Sequence, residues 1–166
     1  MQRSHRLDLT PLPAAAAAAL PDDRDAAAAL LGVALPATWP QVDLLDILPM
    51  QASADPDGER YGIWVMVERA TNGVVGDIGF MGPPADGVVE IGFSVVPERR
   101  RLGFASEAAA ALVGWAIGQP GVDRVVARCD SDNDASIGVL ERAGFVRTAE
   151  AGGVIHWTTA DGRPAT

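Results

Sequence analysis

One cysteine, Cys129, stands in a chain of 166 residues, so no disulfide can close within it and a reducing compartment, the cytoplasm, is the default expectation. Positive charge is scarce as well. Thirteen lysine and arginine residues face 22 acidic ones, a formal charge of −9, which repels a phosphate backbone and favours cationic partners over nucleic acid. No segment approaches the roughly 18 consecutive apolar residues needed to cross a bilayer, so no membrane partner is expected. The alanine run Ala14 to Leu20, set between Pro13 and Pro21, reads as a helix after a first strand and not as a signal peptide. Internal repeats are absent, and the length suits a single domain over 1–166, as a monomer or homodimer, burying about two thirds of the surface of the unfolded chain.

What is present begins with short elements. Arg6 to Leu9 alternates as a strand does, Pro13 opens a helix, and Asp22 to Leu35 is helical by pattern up to Pro36. A short helix within Trp39 to Leu48 and a loop over Gln51 to Arg60 follow. Gly62 to Glu68 and Val74 to Phe80 are two strands about a hairpin turn marked by Asn72 and Gly73. Val88 to Val96 is a third strand, Leu102 to Ile117 an alanine-rich helix apolar nearly all round, Val122 to Cys129 a strand, and Val154 to Thr159 another. Strands that come first as a meander and then alternate with helices predict an α/β (α+β) fold with a mixed, mostly antiparallel sheet flanked by helices.

The most informative stretch runs from Val88 to Phe145. The strand VVEIGFSVVP enters the turn ERRRLGFA at a helix N-terminus, where unpaired N–H groups and the positive end of the helix dipole suit an anion such as a pyrophosphate. Arg99, Arg100 and Arg101 oppose that dipole and one another, a placement that an anion would relieve. Arg100, Gly103 and Ala105 have the spacing Q/R-x-x-G-x-G/A, and a helix DNDASIGVLERAGF follows a strand later. This succession resembles the acetyl-coenzyme A binding core, here 88–145, of the GNAT superfamily of N-acetyltransferases, and within it the ribosomal-protein-alanine-type branch. The turn departs from the family pattern at Arg101, where a first glycine is frequent, and at Leu102, where a basic residue is common.

The resemblance implies acetyl-coenzyme A as co-substrate and no metal. It implies that backbone groups of Val95 and Val96 pair with the pantetheine, that Arg100, Arg101, Leu102, Gly103, Phe104, Ala105 and Ser106 hold the pyrophosphate, and that Asn133 bonds the pantetheine arm. Asn133 equally suits the cap of its own helix. Many members carry a tyrosine that protonates the departing thiolate; the matching place holds Leu140, and Ser136 is the nearby group able to bond to sulfur. Alternation puts Glu90, Gly92 and Ser94 on one face of their strand, with space left by the small residues. Glu90 there is the candidate general base, because an ammonium must lose a proton before its nitrogen attacks a thioester. His156 reads as structural, and Trp39 as a core residue, with an acceptor pocket of Trp39, Asp43 and Asp46 as the lesser alternative. The expected activity is transfer of an acetyl group to a protein N-terminus or a small amine by direct attack in a ternary complex. An acyl-coenzyme A binding module without turnover and a transferase for another acyl group are the alternatives.

Overall fold

A computed structural model gives the fold and describes residues 1–54 and 60–160. Strands β1 (Gln2–Arg3) and β2 (Leu7–Pro11) are followed by helices α1 (Ala14–Ala19), α2 (Arg24–Leu31) and α3 (Val42–Ala54). Strands β3 (Ile63–Glu68), β4 (Gly73–Phe80) and β5 (Val88–Val95) come next, then helix α4 (Phe104–Ile117), strand β6 (Arg124–Asp130), helix α5 (Asp134–Arg142) and strands β7 (Phe145–Ala151) and β8 (Val154–Thr159). They make one eight-stranded sheet in the order β1-β2-β3-β4-β5-β6-β8-β7. Among the described strands only β5 and β6 run parallel, so the sheet is mixed and mostly antiparallel, as expected.

Period-two burial sorts the sheet into two faces. Trp64 and Met66 of β3 join Leu112 of α4 and Leu140 of α5 in one core, while Val65 and Val67 join Ala16, Ala27 and Leu44 of α1 to α3 in the other. Because β3 and β4 are covered on both sides, they read as near-continuous apolar runs.

The structure corrects several boundaries. Helix α2 does not reach Leu35: Gly32 at φ 67° turns the chain out of the helix, and Ala34 instead bridges to Gly73. Helix α3 runs through Pro49 to Ala54, where a loop was expected; the rest of that loop lies outside the described residues. Trp39 precedes α3 and is not part of it. Strand β7 had no counterpart in the sequence reading, since all of its residues after Phe145 are exposed and an edge strand of that kind shows no alternation.

The turn between β1 and β2 is tied to the start of α4 through Glu107. Its Oε1 accepts from Ser4 Oγ and from the Arg6 backbone N–H, both at 2.5 Å, and its Oε2 from Arg6 Nε at 2.7 Å. Partial burial pushes the carboxyl up, but the bonds from Ser4 and Arg6 outweigh it and hold the group below the usual glutamate range. Glu107 therefore stabilises the fold above the ordinary glutamate value, and this contribution fades as pH falls through the lowered one. Glu107→Ala should cost about 2 kcal/mol at pH 7, by analogy with other hydrogen bonds to charged groups. Urea unfolding checks this, and the gap between variant and wild type should narrow in acid.

Candidate active site

The site begins where two strands part. β5 and β6 pair only from Val88 with Arg124 to Glu90 with Val126, after which they diverge, leaving the β6 side of the remaining five residues of β5 without a strand partner. A cleft of about 540 Å³ opens there, floored by Phe93, Ser94 and Val95 and walled by the first turn of α4 and by α5. Val95 lines it, with its carbonyl accepting from Arg100 Nε at 3.1 Å and Gln41 Nε2 at 3.4 Å. Val96 does not belong to it, contrary to expectation. Its N–H donates to the Val75 carbonyl at 3.0 Å, its carbonyl accepts from the Arg99 N–H at 2.9 Å, and its side chain is wholly buried, so its one backbone donor is not left for a ligand.

At the mouth of the cleft the chain makes a 3₁₀ turn over Pro97–Arg99, passes through Arg101 at φ 63° and Gly103 at φ 83°, and enters α4. The first helical hydrogen bond runs from the Glu107 N–H to the Gly103 carbonyl, so the N–H groups of Phe104, Ala105 and Ser106 have no partner inside the helix. Arg101 adopts a left-handed conformation that suits the glycine more usual at this place; strain of this kind clusters at ligand sites. Arg99 is half taken up by an ion pair with Glu68 at 3.2 Å, whereas Arg101 is exposed and makes no hydrogen bond or ion pair among the described residues. Leu102 is 51% exposed and its side chain stands apart from the cleft lining. Across the cleft, Arg142 Nε of α5 donates to Ser106 Oγ at 3.1 Å.

Glu90 lies on the same face of β5 as Ser94, four residues earlier. Arg128 of β6 holds both of its carboxylate oxygens, Nε to Oε1 at 2.8 Å and Nη2 to Oε2 at 3.1 Å. The pair lines a hollow of about 440 Å³ together with Asn133 and Ser136, and those two also line the main cleft, so the two spaces adjoin. Asn133 caps α5, its Oδ1 accepting from the Ser136 N–H at 3.0 Å, while the Ser136 hydroxyl has no bonding partner among the described residues. Leu140 is 1% exposed within the core. His156 lies on β8 outside the cleft, Asp43 lines the cleft, and Asp46 is exposed away from it.

Three residues that the sequence reading passed over also matter: Gln41, Arg142 and above all Asp77. Asp77 of β4 faces Ser94 across the ladder, is 8% exposed, and accepts at Oδ2 from Trp39 Nε1 at 2.8 Å and Ser94 Oγ at 3.0 Å. Burial pushes its carboxyl up to about 6, with hydrogen bonds from Trp39 and Ser94 working against the rise and the nearby Asp43 charge adding to it. A signal was available in VVGDIGF: a lone charge in a strand buried on both faces is seldom idle. Among the described residues no group of three or more His, Cys, Asp or Glu side chains could hold a metal.

Fold and cleft together leave an unpaired strand edge beside a helix N-terminus flanked by arginines. Residues 6–146 match the family model described as acetyltransferase (GNAT) domain. An N-acetyltransferase of Bacillus subtilis (strain 168), YjdG, whose own function is uncharacterized, is 33% identical over 131 residues, 76% of this chain and 78% of that protein. The structure of a GNAT-family acetyltransferase from Bacillus anthracis superposes with a TM-score of 0.67 at 17% identity, covering 98% of this chain and 99% of that one. RimL, a ribosomal L7/L12 alpha-N-protein acetyltransferase solved in complex with coenzyme A, gives 0.66 at 19% identity over 96% and 97% of the two chains. The chain belongs to the GNAT family of acetyltransferases, as an acyl-coenzyme A-dependent N-acetyltransferase.

Proposed function

We propose that the protein moves an acetyl group from acetyl-coenzyme A to a primary amine, a protein N-terminus or a small amine, by direct attack in a ternary complex. The observation that carries this is the cleft between β5 and β6, with the free N–H groups of α4 and the side chains of Arg100 and Arg101 at its mouth. These residues fit the group. Helix N–H donors and arginines suit a pyrophosphate, and the open edge of β5 suits the amides of a pantetheine laid along it as an added strand. When bound, acetyl-coenzyme A supplies a thioester carbon open to attack. A strand N–H steadies the thioester oxygen as it gains charge, and Asn133 reaches the pantetheine arm from the start of α5. Ser136, with its free hydroxyl beside the cleft, bonds to the sulfur. Glu90 takes the proton of the incoming ammonium, held in one rotamer by Arg128. The net charge of −9 favours such cationic acceptors.

Thermal melting with added coenzyme A tests the reading. Ligand at about a hundred times its dissociation constant should add roughly 2.7 kcal/mol of stability, and NAD should add none. Reversing charge with Arg100→Glu and Arg101→Glu together should weaken the effect at least tenfold in apparent affinity, more at low salt than at high. An unshifted melting temperature in millimolar coenzyme A would end the assignment, and an unchanged affinity in the double variant would return the arginines to solvent.

A further inference from the structure

Asp77 is the only acidic side chain among the described residues that is buried. It belongs to a chain of hydrogen bonds that reaches the cofactor mouth. Arg100 Nη2 donates to Gln41 Oε1 at 3.3 Å, Gln41 Nε2 to Ser94 Oγ at 3.0 Å, and Ser94 Oγ to Asp77 Oδ2 at 3.0 Å, while Trp39 Nε1 holds that same oxygen from the other side. The Ser94 hydroxyl is thereby oriented. Its hydrogen points to Asp77, one lone pair meets Gln41, and the residue lines the cleft, so a second lone pair is available there.

An ammonium loses two protons on becoming an amide nitrogen, and the sulfur gains one. Glu90 accounts for the first loss alone, and the place of the family's thiolate acid holds the buried Leu140. We infer that Ser94 and Asp77 form a shuttle that carries the second proton from nitrogen to sulfur, an inference that rests on the amine acetyltransferase reading above. As the nitrogen lone pair forms the C–N bond and the C–S electron pair leaves with sulfur, nitrogen yields its proton to Ser94 Oγ and the Ser94 proton passes to the Asp77 carboxylate. The return of that proton through Ser94 to the thiolate leaves Asp77 ionised, as it began. With the first proton released from Glu90 to water, ammonium and thioester have become amide, thiol and one free proton. Asp77 touches neither substrate and acts through Ser94; it is a positioning residue that stores a proton.

The surroundings suit the task. Asp43 of α3 is the charged neighbour that disfavours the carboxylate, Val65 opposite on β3 and Trp39 bring no charge, Arg24 is occupied with the Trp39 carbonyl, and Arg100 acts only through Gln41. Burial raises the group to about 6, close enough to neutrality both to take a proton and to return it.

The test compares Asp77→Asn, Ser94→Ala and Glu90→Gln in acetyl transfer from acetyl-coenzyme A to alaninamide and to hydroxylamine, an amine already neutral at pH 7. Asp77→Asn keeps an oxygen for Trp39 and Ser94 but no basicity. It and Ser94→Ala should each slow transfer to alaninamide about 10²-fold with the coenzyme A melting shift intact. Hydroxylamine should rescue Glu90→Gln and neither of the other two, because its second proton must still leave. The Trp39 indole N–H resonance should titrate with a midpoint near 6 in wild type, shift upward in Ser94→Ala, which loses a hydrogen bond that lowers the carboxyl, and stay flat in Asp77→Asn. Wild-type rates in Asp77→Asn or Ser94→Ala, rescue of either by hydroxylamine, or loss of the coenzyme A shift would overturn the shuttle. If Asp77→Asn does not fold, Ser94→Ala decides alone. A wild type that acetylates neither amine while still binding coenzyme A overturns the amine reading, and the shuttle with it.

Discussion

Glu90→Gln should lower turnover with an alkylamine about 10²-fold at pH 7 while leaving coenzyme A affinity nearly unchanged. Glutamine keeps an oxygen to accept from Arg128 Nε, which now bonds Oε1 at 2.8 Å, so the rotamer and the hollow beside Asn133 survive. Only the capacity to take a proton is lost. The deficit should shrink as pH rises, since above its own pKa the amine arrives neutral. Rates measured from pH 6 to 9 check both points. Near-wild-type activity at pH 7 would make Glu90 a surface partner of Arg128 and nothing more.

A second large effect concerns stability. The Asp77 carboxyl stands near 6 in the fold against 3.8 for the free group, so the folded chain holds that proton more tightly than the unfolded one. Its contribution is therefore most favourable below pH 4 and is lost as pH rises through about 6, where a charge must be kept in the interior. About two units at 1.36 kcal/mol each give a cost of as much as about 3 kcal/mol at pH 8. Asp77→Asn should remove that cost and melt roughly 6 to 12 °C higher at pH 8, with the two proteins converging near pH 4. The variant that loses most of its chemistry is expected to be the more stable protein, a pattern that goes with groups kept for function at the expense of the fold. A lower melting temperature at pH 8 would show that the carboxylate is needed to hold Trp39 in place.

The parts of the molecule that were legible from sequence are those whose signals are local. Asn72 and Gly73 marked a hairpin, Asn133 the start of one helix, and the turn from Arg99 to Gly103 the start of another. Strand β7 was not legible because its burial carries no period, although Gly152 and Gly153, both with positive φ, supply a turn signal just beyond it. The exclusion of Val96 depended on which way its N–H points, and that is fixed by the β4 partner rather than by the residue itself. Asp77 acquires meaning only once Trp39, 38 residues earlier in the chain, and Ser94, 17 later, are brought against it.

The brief pairing of β5 with β6 has a consequence for the empty protein. A sheet normally leaves its unsatisfied backbone groups at its two outer margins, but this one carries a third margin in its middle, beside Phe93 and Val95, that no strand among the described residues covers and that only the side chains of Arg100 and Gln41 touch, at the Val95 carbonyl. Water must solvate it until a ligand arrives, and the adjoining amides are among the places where solvent hydrogen can enter deep in the sheet. A pantetheine laid there as proposed would act as the missing strand, joining the half that contains β1 to β5 to the half that contains β6 to β8. The slowing of amide exchange on both sides of the seam, rather than any change of shape, would be the mark of that closure.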